Sequence, residues 1–320
     1  MATLVDVIFL GTGTSGCVPN INCLTDPRKQ CRVCLSSVTP EGKRNKRRNT
    51  SLLVRFRSHG DAPGARLRTV LIDCGKTFYE SALEWFPHYG IHQLDGVILT
   101  HGHADACFGL DDLRPWTLNP SIGSNIDIYL ASETMETVQT TFPYLVNSSL
   151  ATGGGDVALF NYHIFDRHSS FTIHGLEFTP LPVHHGIYFT TNEPYWCYGL
   201  QFAGISYISD TNHIPDDTME RMNGKTRLLV LDCLRDSKSH PSHFGLEDAL
   251  KVARKLKPAR TYLVGFAHKT DHYEIREKLG LLENSENLSA SPAWDGLRLA
   301  LDTAMITEDS GDRKQVNVCN

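Results

Sequence analysis

Short apolar runs that end in polar side chains are the main pattern along this chain. Runs of this kind are typical of buried strands, and they predict strands over residues 4–10, 50–56, 69–73, 97–99, 126–130, 176–183, 196–202, 205–209, 228–231 and 261–264. Apolar residues at helical spacing predict helices over residues 78–88, 133–142 and 243–256. Ser242 is the expected N-cap of the last helix.

The segment after the strand at 97–99 carries two histidines and a carboxylate, His101, His103 and Asp105. Imidazole and carboxylate together suit Zn²⁺ or a similar transition ion, and a polar turn with incidental histidines is the alternative. Later runs end in side chains of the same types: His184 and His185, Asp210, Asp232, and His268. This repetition favours a metal site at the ends of the strands.

Three cysteines lie close together after the first strand. Cys31 and Cys34 form a Cys-x-x-Cys motif, and Cys23 precedes it. This is the spacing of zinc ligands that lack their fourth partner, and free cysteines are the alternative. A redox pair is less favoured, because no helix is predicted to begin at the first cysteine of the motif.

The composition is that of an ordinary globular protein. The chain has 320 residues, of which 41% are hydrophobic and 21% charged, and a net charge of −5, which gives no sign of a surface that binds polyanions. One basic run, residues 43–48, is expected to be a solvated loop, with a phosphate or nucleic-acid contact as the alternative. No membrane span or secretion signal is recognised. Nine cysteines without such a signal predict reduced thiols or metal ligands in a cytoplasmic protein, with a nuclear location as the alternative.

These motifs together resemble the metallo-β-lactamase superfamily. The resemblance covers roughly residues 4–300, and it rests on the first strand followed by Gly-Thr-Gly, on His-x-His-x-Asp, and on later strands that end in His-His and Ser-Asp. The chain is most similar to the branch that contains the phosphoribosyl cyclic phosphodiesterase of phosphonate catabolism, on residues 47–51, 181–185, 232–233 and 266–271. The resemblance implies an α/β (α+β) fold, a four-layer αβ/βα sandwich with metals at the sheet edges.

One domain is expected over residues 1–305. It would carry a cysteine-bearing loop at 17–48 and an insertion over the site at about 120–170. Residues 306–320 are expected to form a loose C-terminal tail.

The resemblance also implies the metal ligands, residue by residue. The first active-site metal would lie on His101, His103 and His185, and position favours His185 over His184. A second metal would be bound by Asp105 and by Asp210, which would bridge the two ions. A structural zinc would lie on three cysteines and one histidine, which correspond here to Cys23, Cys31, Cys34 and His268.

Three further residues receive roles from the same resemblance. Asp73 would accept a hydrogen bond that steadies a histidine ring. His243 would protonate the leaving oxygen or bind phosphate. Together with the metal, Arg114 or His243 would neutralise charge on the non-bridging phosphoryl oxygens, and Asp105 would take part in the catalytic centre.

Two positions depart from the family pattern. Ala106 and Gly265 stand where the family has histidines that bind the second metal. Three explanations compete: replacement ligands supplied by His272, Asp111 or Asp112, catalysis with one metal, or a protein that has lost catalysis and kept ligand binding.

The expected function is a metal-dependent hydrolase, a phosphodiesterase that cleaves a small phosphodiester, cyclic diesters included. A bound ion lowers the pKa of its water to about 7, so that hydroxide is available at neutral pH. The expected cofactors are one structural Zn²⁺ and one or two catalytic Zn²⁺ or Mn²⁺ ions. The expected partner is the small-molecule substrate, without a membrane, and a homodimer is an open alternative. A non-catalytic or single-metal binding protein and a tRNA-processing nuclease are the rival functions, but only residues 43–48 are basic enough for RNA.

Overall fold

Two mixed β-sheets face each other, and helices cover the outer face of each. The computed structural model describes residues 2–119, 122–301 and 306–309. Strands are numbered in chain order. The first sheet has the order β15-β14-β1-β2-β3-β4-β5-β6 and contains β1 (Thr3–Gly11), β2 (Ser51–Arg57), β3 (Arg68–Ile72), β4 (Gly96–Ile98), β5 (Ile126–Leu130), β6 (Phe160–Ile164), β14 (Arg298–Leu301) and β15 (Ile306–Asp309).

The second sheet has the order β13-β12-β11-β10-β9-β8-β7. It contains β7 (Phe171–Ile173), β8 (Leu176–Ile187), β9 (Pro194–Phe202), β10 (Ile205–Ile208), β11 (Leu228–Asp232), β12 (Arg260–Val264) and β13 (Ala290–Pro292). The helices are α1 (Ile21–Thr25), α2 (Arg32–Ser36), α3 (Phe78–Tyr89), α4 (Ala104–Cys107), α5 (Pro115–Leu118), α6 (Ser132–Thr141), α7 (Pro143–Val146), α8 (Asp216–Met222), α9 (Leu246–Leu256) and α10 (His272–Glu286). Single 3₁₀ turns occur at Lys43–Asn45, Leu110–Leu113 and Ser148–Leu150.

Alternation along the strands produces the layers, because successive side chains of a strand point to opposite faces. In β1, Val7 and Phe9 enter the core between the two sheets, whereas Ile8 enters the core beneath α3. In β11, Val230 faces the first core and Leu231 faces α9. Each such side chain, once fully buried, contributes about 1.5–3 kcal/mol. The four-layer sandwich expected from the sequence is confirmed.

The parallel strands bring their carboxyl ends to common edges, where ligand sites form in open sheets. Strands β3, β4 and β5 run parallel in the first sheet, and β10, β11 and β12 run parallel in the second. A backbone hydrogen bond of 2.9 Å from Tyr198 of β9 to the carbonyl of Thr100, just beyond β4, joins the two sheets at these edges.

Two strands of the first sheet come from the region that was expected to be an insertion. Strand β5 pairs in parallel with β4, and β6 pairs with β5. Within the segment expected to be a loose tail, residues 306–309 form β15, which pairs with β14. Residues 310–320 lie outside the described residues.

Only part of the basic run is solvated, because Lys43 and Lys46 are exposed whereas Arg47 and Arg48 are buried. The Arg47 side chain is fully buried and donates to the backbone carbonyls of Thr270 at 2.9 Å and Ala267 at 3.4 Å. Arg48 is also buried and donates to the carboxylate of Glu84 at 2.5 Å. These two arginines hold the cysteine-bearing segment against the rest of the fold, and they are not available to nucleic acid.

Two helix starts differ from expectation. Helix α9 begins at Leu246 with Gly245 as its N-cap, so Ser242 caps nothing. Helix α2 begins directly after Cys31, which is its N-cap residue. A helix therefore begins at the first cysteine of the motif, and the prediction that none would do so was wrong. Within the described ranges, no helix combines the length and the apolar character that a membrane crossing requires.

A buried ion-pair cluster ties the edge of the first sheet together, and it gives a stability prediction. Asp6 of β1 is fully buried and accepts two hydrogen bonds of 2.6 Å from Arg55 of β2 and one of 2.7 Å from Arg298 of β14. Asp6→Ala would leave the Arg55 guanidinium group without a counter-charge and Arg298 with only Asp309, at 3.6 Å. We therefore expect a loss of about 3 kcal/mol in the free energy of unfolding, measured by urea denaturation.

Lys251→Ala is the control for this prediction. Lys251 pairs with Asp248 on the exposed face of α9, and exposed pairs of this kind stabilise proteins little. Its urea midpoint should stay at the wild-type value. Equal midpoints for Asp6→Ala and Lys251→Ala would show that the buried cluster does not stabilise the fold.

Candidate metal centres and active site

The loop after β4 is fixed by a buried carboxylate. Asp73, the residue after β3, accepts hydrogen bonds from the backbone N–H of Thr100 at 2.8 Å and from its hydroxyl at 2.9 Å. The Thr100 oxygen lies 2.9 Å from Nδ1 of His101. The family resemblance implied that Asp73 itself would accept from a histidine ring. Asp73 instead binds Thr100, and Thr100 positions the His101 ring. Burial raises the pKa of Asp73 well above its usual range.

This chain of hydrogen bonds determines which nitrogen of His101 is free. When the Thr100 hydroxyl donates to Asp73, its oxygen accepts from His101 Nδ1–H, and the lone pair is left on Nε2. That Nε2 atom is buried and has no hydrogen-bond partner. Burial also lowers the pKa of His101 well below its usual value, so the ring is neutral, as a metal ligand must be.

Three histidine rings converge at this point. His101, His103 and His185 offer ligand nitrogens that all lie within 4.8 Å of one another. Nδ1 of His103 is 3.1 Å from Nε2 of His185. His185 Nδ1 lies 2.7 Å from the carbonyl oxygen of Ser242, to which it can only donate, so its Nε2 is the free nitrogen. Three convergent imidazoles with an unpartnered buried nitrogen among them fit a divalent transition ion.

The choice between His184 and His185 follows from the backbone of β8. The pairing register of β8 with β9 shifts between His184 and Ile187, and adjacent side chains point to opposite faces. His185 turns into the cluster, whereas the His184 ring packs against Trp196 at 4.6 Å and His213 at 5.0 Å between centroids. The structure thus brings His185, and not His184, to the other two histidines.

Tyr195 covers one side of the cluster. Its ring stacks on His103 at 4.7 Å with an interplanar angle of 4°. The Tyr195 hydroxyl oxygen accepts from the backbone N–H of Gly102 at 3.2 Å. Tyr195 could not be selected from the sequence, because it lies near His185 only through the pairing of β8 with β9.

Carboxylates and a fourth histidine lie beside the three rings. Asp210 follows β10, Asp232 ends β11, and His243 lies between β11 and α9. Nδ1 of His243 is 2.8 Å from Asp232 and 3.7 Å from Asp210. His185, Asp210 and His243 also offer ligand atoms within 4.8 Å of one another. In the sequence, Asp232 stood out only as the end of a strand. Because β10 and β11 pair in parallel, their ends lie side by side, and this pairing brings Asp232 to Asp210.

The charges in this group depend on one another. Burial disfavours a charge on His243, but Asp232, Asp210 and Asp105 outweigh it and raise the pKa of His243 to about 9. Burial likewise disfavours a charged Asp210, but His101, His185 and His243 hold the pKa of Asp210 at about 2. Burial and the charge of Asp210 raise the pKa of Asp105 to about 6. His243 is therefore a proton-bearing group at neutral pH.

The candidate replacement ligands lie elsewhere. His272 begins α10, is fully buried and packs against the Trp294 ring at 5.7 Å. Asp111 accepts from the Tyr144 hydroxyl at 3.3 Å, and Asp112 lines an apolar surface groove with Phe78 and Trp116.

None of the three belongs to a cluster of metal-binding side chains in the part of the chain that is described. The structure therefore does not bring these side chains to the other candidate ligands, because α10 and the turn after α4 place them against other residues. Arg114, expected near the phosphoryl oxygens, is exposed at the end of that turn.

A separate cluster, which we call the cysteine cluster, consists of three thiols and an imidazole. The ligand atoms, which lie within 4.8 Å of one another, belong to Cys23 of α1, Cys31 just before α2, Cys34 of α2, and His268 after β12. Nδ1 of His268 lies 3.2 Å from Sγ of Cys23 and 3.5 Å from Sγ of Cys31. The donor set of three sulfurs and one nitrogen is that of a closed tetrahedral zinc site. The fourth partner that the cysteine spacing lacked is thus His268.

Comparison with known proteins agrees with this geometry. A family model described as a beta-lactamase superfamily domain matches residues 68–266. A solved structure described as a new diphosphatase from the PhnP family is 30% identical, with a TM-score of 0.74, and the match covers 94% of this chain and 98% of that one.

Zinc-bound PqqB from Methylobacterium extorquens is 17% identical, with a TM-score of 0.64 over 94% of this chain and 100% of its own. Human tRNase Z, short form, is 16% identical, with a TM-score of 0.56 over 93% and 99%. Both share the fold.

Among curated proteins, an octanoyltransferase from Porphyromonas gingivalis is 29% identical over 272 residues. The match covers 84% of this chain but only 48% of that protein, so the chain spans about half the length of this relative. The family model includes the histidine cluster, and the PhnP-family structure covers 94% of the chain. The chain belongs to the metallo-β-lactamase superfamily of metal-dependent hydrolases, in its PhnP-like branch.

Proposed function

We propose that the protein is a metal-dependent phosphodiesterase that hydrolyses a small phosphodiester, cyclic diesters included. The observation that carries the proposal is a histidine bonded to a carboxylate, His243, beside three imidazoles that can hold a metal. We propose Zn²⁺ or Mn²⁺ as the ion, because imidazole and carboxylate ligands suit both. The 30% identity to a PhnP-family diphosphatase over nearly the whole chain supports a phosphorus-containing substrate.

His101, His103, His185 and Asp210 would hold the ion. A divalent cation in this position supplies a Lewis acid for the phosphoryl oxygens and a hydroxide nucleophile at neutral pH. The Asp73–Thr100–His101 hydrogen bonds and the His185–Ser242 hydrogen bond hold two of the rings so that they present Nε2. A site fixed in this way needs little rearrangement when the substrate binds.

His243 is the proton donor in this proposal. Its Nδ1 is held by Asp232, so its Nε2–H is the group free to face the substrate. Hydroxide forms the new bond to phosphorus, the bond from phosphorus to the leaving oxygen breaks, and that oxygen takes the proton from His243 Nε2. Asp232 orients the ring and favours its protonated form.

The remaining alternatives are less well supported. A tRNA-processing nuclease would need an extended basic surface, but in the basic run Arg47 and Arg48 are buried, which leaves Lys43 and Lys46 as its fully exposed cations. Octanoyl transfer belongs to a protein about twice as long, and the name does not say which half performs it. We therefore propose a small-molecule substrate and no nucleic-acid partner.

We also propose that the Cys23, Cys31, Cys34 and His268 cluster binds a structural Zn²⁺. It joins the segment around α1 and α2 to the end of β12, and the small apolar group around it contains few other buried side chains. Binding energy at such a site is folding energy.

Removal of a cysteine ligand tests the structural zinc. Cys31→Ser should lower zinc content by one ion per chain, measured by plasma mass spectrometry, and lower the Tm. Cys17→Ser is the control, since Cys17 lies in the same segment but outside the cluster. An unchanged zinc content and Tm for Cys31→Ser would contradict the proposal.

The adjacent histidines of β8 give a matched pair for the active centre. His185→Ala should lose more than about 100-fold in the hydrolysis of bis(p-nitrophenyl) phosphate, because it removes a metal ligand. His184→Ala should stay within about threefold of wild type, since its ring packs against Trp196. The reverse order would refute the ligand assignment, and a wild-type protein inactive with Zn²⁺, Mn²⁺ and Mg²⁺ would refute the hydrolase.

The role of His243 is tested through the leaving group. His243→Gln should reduce kcat by about 10²–10⁴-fold for diesters with alkyl leaving groups, which need a proton. The loss should be smaller for p-nitrophenyl diesters, because p-nitrophenolate leaves without one. His240→Gln is the control, since that ring lies 6.0 Å from His243 and is hydrogen-bonded to Ser242. An equal loss on both substrate types would contradict proton donation.

A further inference from the structure

The two clusters of metal-binding side chains in the active centre share one residue. His101, His103 and His185 form the first, and His185, Asp210 and His243 form the second. We infer that only one divalent cation binds here, on the three histidines of the first cluster with Asp210 beside them, because Asp210 and His243 alone are too few ligands for a second cation. This deepens the proposed function, on which its catalytic meaning rests.

His185 cannot serve two ions. Its Nδ1 is 2.7 Å from the carbonyl oxygen of Ser242 and must carry the hydrogen of that bond. The one remaining nitrogen, Nε2, lies 3.1 Å from Nδ1 of His103 and so belongs to the first cluster. An imidazole nitrogen has a single lone pair. The second cluster is thereby reduced to Asp210 and His243.

His243 can offer at most one ligand atom. Its Nδ1 lies 2.8 Å from an oxygen of Asp232, to which it donates, and 3.7 Å from an oxygen of Asp210, which is beyond hydrogen-bond distance. Only Nε2 is left to bind a cation or to carry the proton of the proposed reaction.

The neighbouring backbone offers no nitrogen ligand in exchange. Gly265 has a φ of +82°, and a Cβ at this position would lie 2.5 Å from Oδ1 of Asp232. A longer residue is thus excluded by Asp232 and by the left-handed backbone together. Ala106 is a buried residue of α4, and its methyl side chain has no ligand atom.

Asp210 and His243 then remain as candidate ligands of a second ion. Across the described residues, Asp105 joins no group of three metal-binding side chains within 4.8 Å. Protein sites for zinc use three or four protein ligands, so one carboxylate and one imidazole fall short of a site.

The experiment counts cations by ligand type in the full-length protein. After exchange with ¹¹³Cd²⁺, the NMR spectrum should contain two protein-bound resonances, one in the sulfur-ligand region and one in the nitrogen- and oxygen-ligand region. Total cadmium should be two ions per chain. A second resonance of the nitrogen and oxygen type in the wild-type protein would overturn the inference, as would none.

Two variants locate the resonances. His103→Ala should lose the nitrogen and oxygen resonance and keep the sulfur one, which also reports that the chain is folded. Asp105→Asn should keep both, because Asp105 is not a ligand in this account, and loss of a resonance in that variant would contradict it. No substrate is present, so an inactive protein with the predicted two resonances would refute the phosphodiesterase and leave the cation count intact.

Discussion

Thr100 makes the contacts on which the active centre depends. Its backbone N–H and its hydroxyl bind Asp73 at the end of β3, its hydroxyl oxygen meets His101, and its carbonyl accepts from Tyr198 of the opposite sheet. One fully buried residue thus joins the ends of neighbouring strands, orients the first histidine and connects the two sheets. The relative positions of His101 and of the side chains from the second sheet follow from these bonds.

The sequence was sufficient for features that depend on local pattern. Short continuous apolar runs predicted the strands, since a strand that is buried on both faces in a four-layer fold is apolar throughout. His101 and His103 were evident because they follow a buried strand at once. The Cys-x-x-Cys spacing indicated a zinc site, although its fourth ligand, His268, is more than 230 positions away along the chain and came from the family resemblance.

Features set by long-range packing were not predictable in the same way. Burial of Arg47 requires the carbonyls of Thr270 and Ala267, which no local pattern reveals. The position of Tyr195 over His103 depends on the register of β8 against β9. Ser242 looked like a helix cap, but its carbonyl is used by His185, and the helix starts at Leu246. In each case a tertiary contact outweighed a local preference.

The account as a whole is most directly tested by anomalous diffraction at the zinc absorption edge from crystals of the zinc-loaded protein. It predicts one peak among Cys23, Cys31, Cys34 and His268, and one peak among His101, His103 and His185 next to Asp210. The absence of a peak among the three histidines would contradict the metal-dependent active centre. An additional peak between Asp105 and Asp210 would contradict a centre built around one cation and His243.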